Sequence, residues 1–221
     1  MKKKCVCIIS GGMDSALSAK IAQNDDYEII ALHFNYGQRT QIKELESFYS
    51  IAKDVNAKES YVIDLPFFEQ IGASALTDNS IEVPVDGLEE GVPVTYVPFR
   101  NGIFLSIAAS VAEKHGATAL FIGVVEEDSS GYPDCRESYI NQMQNAINLG
   151  TKNETNITIE MPLVSMSKSD IVKKSLELSV PLKSTWSCYK FEDSACGLCD
   201  SCRLRLRGFE LAGVVDPIEY Q

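Results

Sequence analysis

Two clusters of residues in this 221-residue chain have the types and spacing to do chemistry. The first is Ser10-Gly11-Gly12-Met13-Asp14-Ser15, which follows a short Val/Ile-rich run and precedes a stretch with helical apolar spacing. Gly11 and Gly12 lack a Cβ, so the backbone can turn tightly there and approach an oxyanion. The amides of the following helix's first turn point at that anion, and the helix dipole adds to the attraction. Ser10 and Ser15 add hydroxyl donors. Asp14 cannot bind phosphate directly and is expected to cap the helix, hold Mg2+ or hold the loop. No lysine follows the glycines, so this is not the Walker-type loop. The bland alternative is a plain Gly-rich turn; its place between strand and helix argues for the anion site.

The second cluster is Cys188, Cys196, Cys199 and Cys202, spaced C-x7-C-x2-C-x2-C. Four soft thiolates in a short segment suit a tetrahedral divalent cation, zinc first. With every position filled by protein the metal would be structural. An iron–sulfur cluster takes the same ligands and would colour the protein brown. A zinc knuckle for nucleic acid is a third option. Arg203, Arg205 and Arg207 follow the cluster and are expected to offset its negative charge. Cys5 and Cys7 alternate on the first strand and read as core, and Cys135 reads as a buried thiol.

These residues need a scaffold, and the pattern supplies one. Apolar runs over 4–9, 28–34, 59–64, 119–124 and 157–160 read as strands. Helical spacing covers 13–23, 41–55, 101–115 and 136–149, a helix opens at Lys168, and another follows the cysteines. Strands alternating with helices imply a parallel sheet with right-handed crossovers. Residues 77–98, with three prolines and several acids, read as a long loop and a candidate lid. We place an ATP-binding region at 1–180 and a four-cysteine region at 181–221.

The formal net charge is −11, which argues against a nucleic-acid surface. No apolar run reaches the 18 residues of a membrane span, and the apolar stretch after the N-terminal lysines is too short for a signal sequence. A cytoplasmic protein is the expectation. The two histidines, His33 and His115, read as packed and solvated respectively, so a His-based catalytic centre is not expected.

The loop is similar to the SGGxDS pyrophosphate loop of the N-type ATP pyrophosphatases. With further stretches in order, the chain resembles the 7-cyano-7-deazaguanine synthase family. These stretches are Phe34-Asn-Tyr-Gly-Gln-Arg39, Ser74-Ala-Leu-Thr-Asp78, Tyr96-Val-Pro-Phe-Arg-Asn101, Ser130-Gly-Tyr-Pro-Asp-Cys-Arg136, Asn148-Leu-Gly-Thr151, Thr185-Trp-Ser-Cys-Tyr189 and Cys196-Gly-Leu-Cys-Asp-Ser-Cys202. The chain departs from the family pattern at Ala16, Thr40 and Phe99 and near Glu127-Asp128.

The resemblance implies a Rossmann-like adenine nucleotide α-hydrolase fold of class α/β, with helices on both sheet faces and a small zinc-bearing helical region. It implies a cytoplasmic homodimer that uses ATP, ammonia and 7-carboxy-7-deazaguanine, with structural Zn2+ and Mg2+. It implies a nucleotide site running through Ile9, Ser10, Gly11, Gly12, Met13, Asp14, Ser15, Ala16, Leu17 and Ser18, with Asp14, Arg100 and Lys168 as the catalytic set. Arg100 would clamp phosphate or carboxylate. Lys168, a cation at a helix N-terminus, hints at an anionic ligand. Asp134 would hold the N–H edge of the deazaguanine, Arg136 would pair with its carboxylate, and Trp186 would stack on the ring. Surface or core roles are the alternatives for Arg100, Asp134, Arg136, Lys168 and Trp186.

Overall fold

Apolar side chains on both faces make Lys4–Ile8 (β1) a strand that must be covered twice, which only an interior parallel strand achieves. In the computed structural model, which describes residues 2–86, 91–126 and 131–221, β1 is the middle of five strands. The others are Glu28–Asn35 (β2), Glu59–Asp64 (β3), Ala119–Phe121 (β4) and Thr158–Glu160 (β5). All pairings are parallel and the order is β3-β2-β1-β4-β5. Residues 87–90 of the candidate lid, together with Glu127, Asp128 and Ser130, lie outside the described residues.

The helices are Met13–Asn24 (α1), Gln41–Asp54 (α2), Phe67–Ile71 (α3), Arg100–His115 (α4), Glu137–Gly150 (α5), Lys168–Glu177 (α6) and Asp200–Ala212 (α7). The period of two along β1 sorts them into layers. Val6 and Ile8 share a core with Leu105 and Ala108 of α4 and with Ile140 and Ile147 of α5. Cys5 and Cys7 share the opposite core with Leu17 of α1, Phe48 and Ile51 of α2, Ile171 of α6 and Phe209 of α7. Fully burying each such Leu, Ile or Phe contributes about 1.5–3 kcal/mol. The result is a doubly wound, Rossmann-like α/β sandwich, as expected from the strand and helix alternation.

Two expectations are corrected. The strand expected over 119–124 stops at Phe121, and two residues on Gly123 passes close against the first turn of α1. His115 is not solvated: its side chain is 13% exposed, with Nε2 2.8 Å from the Tyr61 hydroxyl. The other histidine is packed as expected, its Nδ1 2.8 Å from the Ile9 carbonyl. The five-residue helix α3 carries no sequence signal of its own and is held by Phe68, which inserts into the α4-side core.

Beyond residue 180 the chain stays in contact with the sheet layers, since α7 shares the core of α1, α2 and α6. A buried ion pair pins it further. Arg205, on α7, donates from Nε to Asp216 Oδ2 (2.7 Å) and from Nη2 to Oδ1 (3.0 Å), with side chains 1% and 3% exposed. It also donates to the Thr185 hydroxyl at 2.8 Å. This corrects the expectation that Arg205 offsets the cysteine cluster: its charge is already matched by Asp216. Asp216→Ala leaves the guanidinium buried without a counter-charge and is expected to lower stability by about 3–5 kcal/mol, read from urea unfolding midpoints.

Candidate functional site

The chain runs outward through β1, β2 and β3, then returns to the other side of β1 to lay down β4. Strand order therefore reverses between β1 and β4, and in doubly wound sheets ligands bind in the crevice at the carboxyl ends of such strands. A cavity of about 250 Å³ opens there. Ser10, Gly12, Met13, Asp14 and Ser15 line it from the loop after β1, and Ile122, Gly123 and Val124 from the end of β4. Ile9, Ala16, Leu17 and Ser18, the rest of the expected nucleotide stretch, are buried behind this wall.

The loop is held from below. Gly11 has φ +95°, and a Cβ there would lie 2.7 Å from the Glu44 carbonyl oxygen. Only glycine permits both the angle and the approach. Ser15 Oγ donates to the Gly12 carbonyl (2.9 Å) and accepts from the Ser10 amide (3.2 Å). The serines thus tie the loop to itself and leave the α1 dipole to act on a ligand. Gly12 is the helix N-cap and makes no side-chain capping bond, so Asp14 does not cap α1. Instead its Oδ2 lies 2.6 Å from Lys168 Nζ at the start of α6. Asp14 and Lys168, far apart in sequence, are brought together; the Ser167 hydroxyl caps α6 by accepting from the Asp170 amide. Asp14 Oδ1 is buried and has no hydrogen-bond partner among the described residues.

Arg100 opens α4 on the opposite wall. Its Nη1 donates to the Tyr36 hydroxyl at 2.8 Å and its guanidinium lies over the Tyr36 and Phe104 rings at 5.3 and 5.8 Å. The residue before it, Phe99, takes φ +55°, a left-handed turn that a bulky side chain rarely adopts and that marks strain at this entry to the site. Asp134 accepts the Asn101 amide at 2.9 Å and so fixes the first turn of α4. It is buried, which raises its carboxyl above the usual range, and its Oδ1 has no partner among the described residues. Asp134 sits behind the cavity wall, whereas Cys135 lines it. Burial pushes the Cys135 thiol up to about 12, which suits an inert thiol and not a nucleophile. Arg136 is exposed and is not among the residues lining the cavity.

Trp186 lies between the cavity and the cysteines. It is 5% exposed, its indole N–H donates to the Phe191 carbonyl at 3.1 Å, and it packs with Cys188, Cys196, Cys199 and Cys202. Its backbone amide donates to the Gly11 carbonyl at 2.9 Å, which couples the cysteine region directly to the phosphate loop. The four sulfurs lie within 4.8 Å of one another, all on buried residues. Sulfurs around a tetrahedral zinc at ~2.3 Å stand ~3.8 Å apart; Cys196 and Cys202 are 3.9 Å apart. The donor set therefore fits a thiophilic cation. Its negative charge is met by backbone amides: those of Lys190 and Cys196 point at Cys188 Sγ (both 3.4 Å), and that of Cys199 at Cys196 Sγ (3.3 Å). Arg203 is spent on the Leu198 and Val85 carbonyls.

Sequence reasoning passed over Gly123, Glu44 and Tyr36. A Cβ on Gly123 would fall 2.8 Å from Asp14 C and Ser15 N. The signal was a lone glycine at the end of an apolar strand, which marks close backbone approach. Tyr36 and Glu44 flank the Gly37-Gln38-Arg39 turn, where only three-dimensional proximity to Arg100 reveals a role.

Comparison with known proteins adds to this geometry. A model of the family described as queuosine biosynthesis protein QueC matches residues 4–213. The 7-cyano-7-deazaguanine synthase of Sulfurovum sp. (strain NBC37-1) is 79% identical over 221 residues, 100% of both chains. That of Aliarcobacter butzleri (strain RM4018) is 64% identical over 219 residues, 99% of this chain and 96% of the relative. The fold is shared with a 4-thiouridine synthetase solved in an RNA complex with bound ATP, at 15% identity and TM-score 0.51, over 80% of this chain and 41% of that one.

Proposed function

From the premise that the chain belongs to the QueC family of queuosine biosynthesis proteins, we propose that it is an ATP-consuming carbon–nitrogen ligase making 7-cyano-7-deazaguanine from 7-carboxy-7-deazaguanine and ammonia. The observation that carries this reading is the crevice itself. First-turn amides of α1, free of intrahelical acceptors, meet a cavity that also holds Arg100 and Lys168.

The substrate carboxylate attacks the α-phosphate of ATP, and the amide cradle of Gly12 to Ser15 takes the departing pyrophosphate. Ammonia displaces AMP and leaves an amide. A second ATP adenylates the amide oxygen, and loss of AMP with a proton gives the nitrile. AMP is a good leaving group, so positioning and charge stabilisation dominate. Arg100, held by Tyr36, faces the carboxylate. Asp134, behind the wall, acts through its neighbours: by accepting the Asn101 amide it sets the first turn of α4 and so the place of Arg100. Lys168 swings between Asp14 and the phosphates. Asp14 Oδ1 is the hard oxygen that would hold a Mg2+, which would spread the negative charge that builds on the phosphates. Zn2+ on the four cysteines is structural.

Lys168→Ala removes the cation and leaves Asp14 facing phosphate. We expect kcat/KM for ATP to fall by about 10²–10³, with the zinc content unchanged. The reading also places a homodimer in the cytoplasm, which light scattering on purified protein checks for assembly; no helix among the described residues is long and apolar enough to cross a membrane.

The test is incubation of the purified protein with ATP, Mg2+, ammonium and 7-carboxy-7-deazaguanine, followed by mass spectrometry. The expected result is the nitrile, with AMP at twice its molar amount. Unchanged acid without AMP overturns the reading, and AMP with amide alone restricts the enzyme to the first half-reaction.

A further inference from the structure

One carboxylate in the cavity wall has no place in phosphate chemistry. Glu44 lies in the first turn of α2, and its main chain supports the loop at Gly11. Its side chain lines the cavity. The carboxylate is built in from behind. Thr40 Oγ1 donates to Oε1 at 2.8 Å and Gln38 Nε2 donates to Oε2 at 3.2 Å. Gln38 is in turn fixed: it accepts the Tyr36 amide at 2.8 Å and donates to the Phe34 carbonyl at 3.2 Å. Each oxygen therefore keeps a lone pair for the cavity in a set orientation.

The charged and titratable groups that face it are Tyr36 after β2, Arg100 of α4 and Glu192 from the segment before Cys196. Arg100 is occupied by the Tyr36 hydroxyl, and Glu192 accepts the Ile42 amide at 3.0 Å. Withdrawal from water raises Glu44 to about 7, against the pull of Thr40, Gln38 and Arg100. A half-buried anion beside a polyphosphate site is costly, and a proton-transfer task would account for its retention.

The ligase reading supplies that task. At neutral pH ammonia is present mostly as ammonium, which has no lone pair. We propose that Glu44 is the catalytic base of the nitrogen steps, taking a proton from ammonium in the cavity before the C–N bond forms. The N–H bond breaks and its electron pair stays on nitrogen. That pair forms the C–N bond at the acyl carbon, and the C–O bond to AMP breaks with its pair leaving on the AMP phosphate. One proton rests on Glu44, and the second proton lost from the adduct leaves on AMP. Glu44 then returns its proton to solvent, and as the second ATP adenylates the amide oxygen one of the two N–H protons also leaves to solvent. In the last step the remaining N–H proton passes to Glu44. Its electron pair completes the triple bond as the second AMP departs. This inference rests on the ammonia-using ligase reading.

The test uses the full-length, zinc-loaded protein carrying Glu44→Gln, an isosteric change that can keep hydrogen bonds to Thr40 and Gln38. Two nucleophiles are compared at pH 7 with ATP and 7-carboxy-7-deazaguanine. Ammonium must be deprotonated, whereas hydroxylamine already carries a free lone pair and gives a hydroxamate. The expected result is an ammonium-dependent rate reduced by about 10²-fold or more, with hydroxamate formation kept within about a factor of three. Equal loss with both nucleophiles would assign Glu44 to positioning or adenylation, and no loss with ammonium would remove it from catalysis; either overturns the proposal. A wild-type enzyme that forms no hydroxamate and no AMP would instead strike the ligase reading on which it depends.

Discussion

Gly123→Ala lowers kcat/KM for ATP by about 10²–10³ and leaves zinc stoichiometry unchanged. The added methyl would sit 2.8 Å from Asp14 C, 2.8 Å from Ser15 N and 2.9 Å from Asp14 O. All three are backbone atoms of the first turn of α1, so no side chain can rotate out of the way. The φ angle of Gly123 lies outside the left-handed region, so alanine is not excluded by conformation. The whole effect must come from contact. Either β4 moves away from β1 or the amides that cradle phosphate shift. A displacement of that kind, well under 1 Å, is costly to a preorganised electrostatic site. Overpacking of this sort typically costs about 1–3 kcal/mol of stability, so the fold should survive. Steady-state kinetics, thermal denaturation and metal analysis on one preparation separate the effects. Full activity in the alanine variant would mean that β4 does not set the position of the loop.

Loss of the metal is the second large effect. Cys199→Ser, or chelation in mild denaturant, is expected to abolish activity and unfold the chain beyond about residue 185. Binding to four-thiolate sites is worth about 10–16 kcal/mol in zinc-finger peptides, and this binding energy is folding energy. Four buried sulfurs this close cannot all ionise without a cation: hydrogen bonding to an ionised Cys188 raises Cys199 and Cys202. A clean reporter exists, because Trp186 is the single tryptophan of the chain and packs on the cysteines. Its fluorescence should shift to the red as it meets water, in step with zinc release. Phosphate binding should fail at the same point, since the Trp186 amide holds the Gly11 carbonyl. A metal-free protein with unshifted fluorescence and normal ATP turnover would show that the cysteines are not the brace.

What the sequence disclosed follows from which interactions are local. The loop from Ser10 to Ser15 was legible because a glycine pair between strand and helix needs no distant partner to be understood. The cysteines were legible because thiolate spacing is itself a coordination rule. Parallel pairing followed from alternation of strand and helix, but the order β3-β2-β1-β4-β5, and hence the crevice, depends on which strand returns beside β1. Side-chain roles were harder. Asp14 read as a helix cap, a Mg2+ ligand or a tie to the loop, and only folding showed Lys168 at 2.6 Å. Arg205 read as a counter-charge for thiolates until Asp216, eleven positions on, was found against it. Trp186 read equally as a stacking platform or as core, and its burial with the cysteines favours core. Glu44 carried no motif, because its character comes from partial burial beside Arg100 and Glu192, both distant in sequence.

The reversal between β1 and β4 also bears on biogenesis. A ribosome releases β1, α1 and the phosphate loop before β4, yet the crevice gains its second wall only when β4 is made, and the Trp186 and Arg205 contacts form only after all five strands have been made. Nascent chains at intermediate lengths therefore expose the apolar underside of β1 with no nucleotide to steady it. Such long-range closure is slow and prone to mispairing. Chaperone dependence during synthesis, relieved once residues past 205 have emerged, is the cellular signature this topology implies.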